Sequence, residues 1–213
     1  MNRKEEIIYA TLELASVNGM KGISMSQIAD KVGIKAPSLY NHFKSKEELI
    51  HEMYEFLRAR ASDNAKSVPA DYVKLFEDKS LEEILSDSVS TYLGMVSDKN
   101  MLRFFKVLYS ERSTDAAAAR IMVEETERML ARTRDLFYAL AVHGKIKTAD
   151  VDAAAMTYSL TIHSLIDYRM DMITAGLADG AGEGTGPVPE KIAAFIKWFA
   201  DEIGGQEDEK KND

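Results

Sequence analysis

Residues 24–49 read SMSQIADKVGIKAPSLYNHFKSKEEL, and the fold is decided there. Ser24 followed three residues later by Gln27 is a capping-box signature for a helix start. Met25, Ile28, Ala29 and Val32 then recur at i, i+3, i+4 and i+7, the apolar face of a short helix. Gly33 ends it, because glycine takes the left-handed conformation of a tight stop without strain. A second short helix follows over Lys35–Phe43, with Pro37 in its first turn, where no internal hydrogen bond is lost. Ala36, Leu39, Tyr40 and Phe43 repeat the apolar spacing, and Ser45 with Glu48 is another capping box. Two short helices about a glycine turn are the layout of a helix-turn-helix, whose second helix enters a DNA major groove.

With Leu39 and Phe43 turned inward, Lys35, Pro37, Ser38, Asn41 and His42 are left on the outer face. Between Lys31 and Lys46 the chain carries Lys31, Lys35, Lys44 and Lys46 and no acidic residue, although its formal net charge is -8. A cationic stripe on an acidic protein suits phosphate contact, which releases condensed counterions. Lysines alone also decorate any solvated helical surface, so the helix-turn-helix punctuation is what favours DNA. Ser24 and Ser26 add reach to phosphate, because a helix N-terminus presents free backbone N–H groups.

The run GIKAPSLYNHFKSKEELI, preceded by ISMSQIADKV, resembles the DNA-binding domain of TetR-family transcriptional regulators over roughly the first quarter of the chain. The resemblance implies that the short third helix reads bases. It places Tyr40, His42 and Lys46 on phosphates and Pro37 and Ser38 at base-contacting positions. One member of the family has Gln where this chain has Ala36; a methyl group touches thymine but cannot bond bidentately to adenine, so the operator is expected to differ.

The first helix is expected over Arg3–Asn18, with an apolar face of Ile7, Ile8, Leu12, Leu14 and Ala15 and a stop at Gly19. The fourth runs from Lys46 to about Lys66, long enough to link two domains. Pro69 breaks the pattern, and Ala70–Lys79 reads as a connection. Beyond it every segment is helical: Ser80 to Val96; a helix opened by Asp98 or Asn100, whose MLRFFKVLY core is expected mid-bundle; Asp115 to His143; Thr148 to Ala175; and a last one opened by Pro189. GLADGAGEGTGPVP reads as a loop and GGQEDEKKND as a disordered tail. The expectation is an all-α chain: a three-helix helix-turn-helix domain at 1–46, a helical-bundle ligand-binding and dimerisation domain at 47–205, and a tail at 206–213.

With 213 residues, 46% of them hydrophobic, the chain can bury one large core or two modest ones. Its lack of cysteine excludes disulfides and thiolate metal sites. The opening MNRKEEII lacks the apolar core of a signal peptide, and no stretch approaches ~18 uninterrupted apolar residues. A cytoplasmic protein without membrane contact is expected. The four histidines have no ligand spacing, so no metal is assigned. Without a nucleophile elbow, a phosphate loop or a Cys-His pair, neither catalysis nor a cofactor is assigned.

In the second domain Met156, Leu160, His163, Asp167 and Met170 form one helical stripe, with His163 and Asp167 as i, i+4 neighbours. That stripe fits two roles, a pocket with orienting polar groups or a dimer interface. Phe104, Phe105, Tyr109, Met122, Tyr158, His163 and Asp167 are the candidate lining of an effector site, combining apolar bulk with a few polar groups. The reading is a homodimeric regulator of transcription, a repressor that binds a near-palindromic double-stranded DNA operator. Its last two long helices build the dimer, and a small, largely apolar effector releases it. The alternative is a helical small-molecule-binding or adaptor protein whose helix-turn-helix is not used for operator binding.

Overall fold

In the computed structural model of the protein, residues 1–65, 76, 79–96, 98–177 and 188–205 are described. Among them the chain is all-α, with nine helices and a single isolated β-bridge. They are α1 (Arg3–Asn18), α2 (Met25–Val32), α3 (Ala36–Tyr40), α4 (Lys46–Ala65), α5 (Leu81–Val96), α6 (Lys99–Glu111), α7 (Ala116–Val142), α8 (Val151–Thr174) and α9 (Glu190–Ile203). Among the described residues no helix is long and apolar enough to cross a membrane. The chain divides into two compact units, Met1–Val68 with Met95–Glu125, and Pro69–Gly94 with Thr126–Asp213.

The first unit is built on α1. Asn2 and Glu5 form a reciprocal capping box at its start, and Gly19, at φ 70°, closes it by donating its N–H to the Ala15 carbonyl. Its buried face of Ile7, Ile8, Leu12 and Ala15 receives α2, α4 and α6. The predicted Ser24–Gln27 box closes α2 in both directions, and Gly33 sits at φ 73°, ψ 35°. Leu39, Phe43, Leu49, Met53 and Leu57 are fully buried in the same core.

Several sequence expectations shift in this unit. α3 is shorter than Lys35–Phe43, because after Tyr40 the His42 N–H reaches back only three residues, to Leu39, and the turn tightens. At the start of α4, Ser45 Oγ accepts the Glu48 N–H at 3.2 Å, but the Glu48 carboxylate accepts from the Lys44 N–H, so the box is not reciprocal. The MLRFFKVLY helix, expected in the middle of a bundle, lies in this unit as α6. It buries Met101, Phe104, Val107 and Leu108 on one face, while Lys106 keeps the opposite side in solvent. Glu111, at its end, accepts the Met20 N–H at 3.1 Å.

The second unit packs α5, α8, α9 and the later turns of α7 around an aromatic core. Phe137, Phe195 and Phe199 surround the Tyr158 ring at 5.4, 6.1 and 5.5 Å. Helix α8 starts later than Thr148: the Asp150 side chain caps it on the Ala153 N–H, and Thr148 Oγ1 accepts the Asp150 N–H in the preceding turn. Pro189 opens α9 as expected. The glycines after α9, read as tail, are ordered: Lys147 N–H donates to Ile203 O and Gly205 N–H to Lys145 O, at 2.7 and 2.9 Å. Most of the connection at 70–79, the glycine-rich loop at 178–187 and the tail at 206–213 lie outside the described residues.

Candidate nucleic-acid interface

The surface of α3 follows from what its inner face buries. Leu39 and Phe43 are fully buried, and with Ile28 of α2 they fix the helix by packing. Lys35, Pro37, Ser38, Tyr40, Asn41 and His42 are left exposed, Tyr40 at 51%. A few side chains on one short helix suffice to read a groove. Ala36 is half-buried and packs against the core, so part of its methyl is already covered.

The flanking residues divide by what already engages them. Ser26 is exposed, and so is Ser24, whose hydroxyl holds the capping box with Gln27. Of the lysines, Lys31 pairs with Glu13 at 3.2 Å and Lys46 donates from Nζ to the Ile23 carbonyl at 2.6 Å. Lys35 and Lys44 are exposed, and no acceptor for either ammonium is found among the described residues. Thus, among the described residues, only Lys31 is offset by a carboxylate, and Lys46, bonded to a neutral carbonyl, keeps its charge alongside Lys35 and Lys44. Glu13 also lies 3.4 Å from Arg103 of α6, and the Lys31 hydrogen bond first, then both cations, hold its carboxyl below the ordinary value. Sequence reasoning missed Lys4. Its ammonium stands 5.3 Å over the Phe43 ring and 2.6 Å from Glu52, tying the start of α1 to the segment after α3.

The candidate effector residues fall in both units. Phe104 and Met122 are buried in the first core, with Phe105 and Tyr109 packed partly buried against it. Phe104 lies 6.3 Å from the Tyr54 ring, and Arg112 stands 4.5 Å over Tyr109. In the second unit Tyr158 is buried and donates to Leu85 O at 3.0 Å. His163 Nε2 is 3.8 Å from Asp167 Oδ2, an ion-pair separation too long for a direct hydrogen bond. On the same stripe Met156, Leu160 and Met170 are exposed, as is Trp198 of α9.

Comparison with known proteins agrees with this architecture. Residues 7–53 match the family described as bacterial regulatory proteins, tetR family, and residues 83–178 the AefR-like transcriptional repressor C-terminal domain. The class D tetracycline repressor of Escherichia coli is 37% identical over 67 residues, 32% of this chain and 30% of that protein. The nucleoid occlusion factor SlmA of Vibrio campbellii is 26% identical over 140 residues, 64% of this chain and 61% of its own. The chain thus spans less than two thirds of the curated relatives it matches. A TetR-family regulator structure from Mesorhizobium loti superposes with a TM-score of 0.68 at 24% identity, over 96% of this chain and 100% of the other. With the helix-turn-helix at one end and the repressor-type helical region following it, the chain belongs to the TetR family of transcriptional regulators.

Proposed function

We propose that the protein is a ligand-responsive repressor that binds a near-palindromic operator as a homodimer and is released by a small, largely apolar effector. The observation that carries the DNA part is α3: its inward residues are fully buried while Lys35, Pro37, Ser38, Tyr40, Asn41 and His42 form one exposed face. In this reading Ser38 and Pro37 meet base edges, Tyr40, His42 and Lys46, with Lys35 of the cationic stripe, meet phosphates, and the Ala36 methyl, where uncovered, meets thymine. Residues 1–46 are the DNA-binding part, 47–205 the effector and dimerisation part, and 206–213 a tail. The protein acts in the cytoplasm.

One helix-turn-helix reads too few base pairs for a genome, and a two-fold dimer doubles the site. Met156, Leu160 and Met170 on α8, and Trp198 on α9, are apolar side chains that one protomer leaves at 40–55% exposure. This exposure favours the interface role for the stripe that carries His163 and Asp167. The effector binds either among Phe104, Phe105, Tyr109 and Met122 of the first unit or among Tyr158, His163 and Asp167 of the second. Its effect reaches the DNA-binding part through α4, and a near-complete switch requires about 5.5 kcal/mol of differential affinity.

The experiment is binding of a labelled duplex from the region upstream of the protein's own gene, competed by unrelated duplex. Specific retention is expected, and Ser38→Ala is expected to change the preference among base sequences. A second reading, an adaptor for other proteins, is favoured by the alignment with the nucleoid occlusion factor, which runs well beyond the helix-turn-helix. An adaptor of that kind would tolerate loss of Lys35, Tyr40 and Lys46; the operator-binding regulator would not.

A further inference from the structure

Helix α3 has five residues and no side-chain cap on Lys35, so its own hydrogen bonds cannot hold it in place. Its seat is the packing of Leu39 and Phe43, both fully buried, and the Phe43 N–H closes the last turn on the Leu39 carbonyl at 3.1 Å. Whatever fixes the Phe43 ring therefore fixes the end of the segment that exposes Tyr40, Asn41 and His42.

Lys4 reaches that ring from α1. Its ammonium stands 5.3 Å from the ring centroid and 2.6 Å from the Glu52 carboxylate of α4. The backbone beneath it is held, because the Asn2–Glu5 capping box closes the first turn of α1. The other charges of that turn are engaged close by: Arg3 pairs with Glu6 at 2.6 Å, and Glu5 serves the box. Glu52 lies between Leu49 and Met53, both fully buried, so its own backbone is anchored as well. An ammonium over an aromatic face is attracted to it, and the carboxylate restricts where the flexible stem can place that ammonium. One side chain thus joins α1, α4 and the residue that closes α3.

We infer that Lys4 is a positioning residue for base reading: held by Glu52, it acts through the Phe43 ring and sets how the end of α3 meets DNA. This rests on the DNA-binding reading above. If the two residues acted on DNA only as charges, loss of the lysine would weaken binding and loss of the carboxylate would strengthen it, because phosphates attract the one and repel the other. As partners in one tie, both losses weaken binding, and the second adds nothing once the first is made.

The full-length protein, Lys4→Met, Glu52→Met, the double variant and Lys4→Arg are titrated with a fluorescent duplex from the upstream region. Methionine keeps an apolar stem and removes the charge, whereas arginine keeps a cation for both the ring and the carboxylate. Lys4→Met and Glu52→Met are each expected to bind about threefold more weakly, the double variant no worse than about threefold, and Lys4→Arg within about twofold of the parent. Amide exchange supplies an arm independent of DNA: His42 and Phe43 are expected to exchange about threefold faster in Lys4→Met and in Glu52→Met, and as in the parent in Lys4→Arg. Glu52→Met binding as tightly as the parent, or tighter, overturns the inference. So does unchanged exchange at His42 and Phe43, or a double variant weakened by the product of the two single effects. If the parent binds no duplex, the DNA-binding reading fails, and the exchange arm alone still decides whether Lys4 and Glu52 seat Phe43.

Discussion

Replacing Tyr54 by Phe is expected to stabilise the protein. Tyr54 sits in α4 at 2% exposure, and its hydroxyl has no hydrogen-bond partner among the described residues. Burial first, then the carboxylates of Asp115 and Glu111, push the phenol well above its ordinary pKa. An unpaired buried hydroxyl costs about 1–3 kcal/mol, whereas phenylalanine keeps the ring and leaves no cavity. The ring contact with Phe104, at 6.3 Å between centroids, is retained. Stability is therefore expected to rise by about 1–2 kcal/mol, which corresponds to roughly 2–8 °C in thermal midpoint for a domain of this size.

Urea unfolding followed by helical circular dichroism is the assay, and the midpoint should move up with an unchanged slope, the sign of a stability change alone. The pH dependence supplies a second check. A phenol whose folded pKa is raised favours the neutral form, so its stabilisation is complete below the unfolded value, about 10, and is lost as pH rises through the folded value. Tyr54→Phe should remove that part of the alkaline loss. A variant less stable than the parent by about 1 kcal/mol or more would refute the reasoning, because the hydroxyl would then have a partner worth keeping.

Burial raises the Tyr158 pKa to about 12, with the Ser88 hydrogen bond opposing; by the same sign the second unit should lose up to about 3 kcal/mol between pH 10 and 12. Tyr158→Phe should flatten that loss in alkaline denaturation, at a cost near neutrality of about 1 kcal/mol for the bond to Leu85. Gly205→Ala would place a Cβ 2.1 Å from the Gly144 carbonyl, so the bridge between Ile146 and Gly204 must open. A loss of about 1–3 kcal/mol is expected in chemical denaturation, and parent-like stability would exclude this clamp. Leu160→Asp on the exposed α8 stripe should shift sedimentation from dimer to monomer at micromolar concentration while leaving the helical signal intact; a monomeric parent would remove the interface altogether.

What the sequence made legible was local. Ser24 and Gln27 announce α2 because a capping box spans only three residues, and Gly19 and Gly33 mark stops where φ is 70° and 73°. Leu39 and Phe43 were readable as inward because helical spacing leaves them nowhere else to point. The placement of α6 was not readable: its apolar content is compatible with any core, and what seats it on α1 is contact between residues far apart in the chain, such as Glu111 with Met20. The same holds for Lys4 over Phe43 and for Lys46 on the Ile23 carbonyl, where no periodicity pairs the partners. The effector residues were chosen for chemistry alone, and four of them share one core while three lie in the other unit.

The account turns on α3 reading duplex DNA. The most direct measurement is selection of bound sequences from a random duplex pool by the full-length protein, beside a variant carrying Lys35→Ala, Ser38→Ala and Tyr40→Ala. The account predicts enrichment of one near-palindromic sequence, with half-sites about one helical turn apart or a multiple of it, and loss of that enrichment in the variant. A pool that remains random with the parent protein, or an enriched sequence that the variant recovers unchanged, would contradict it.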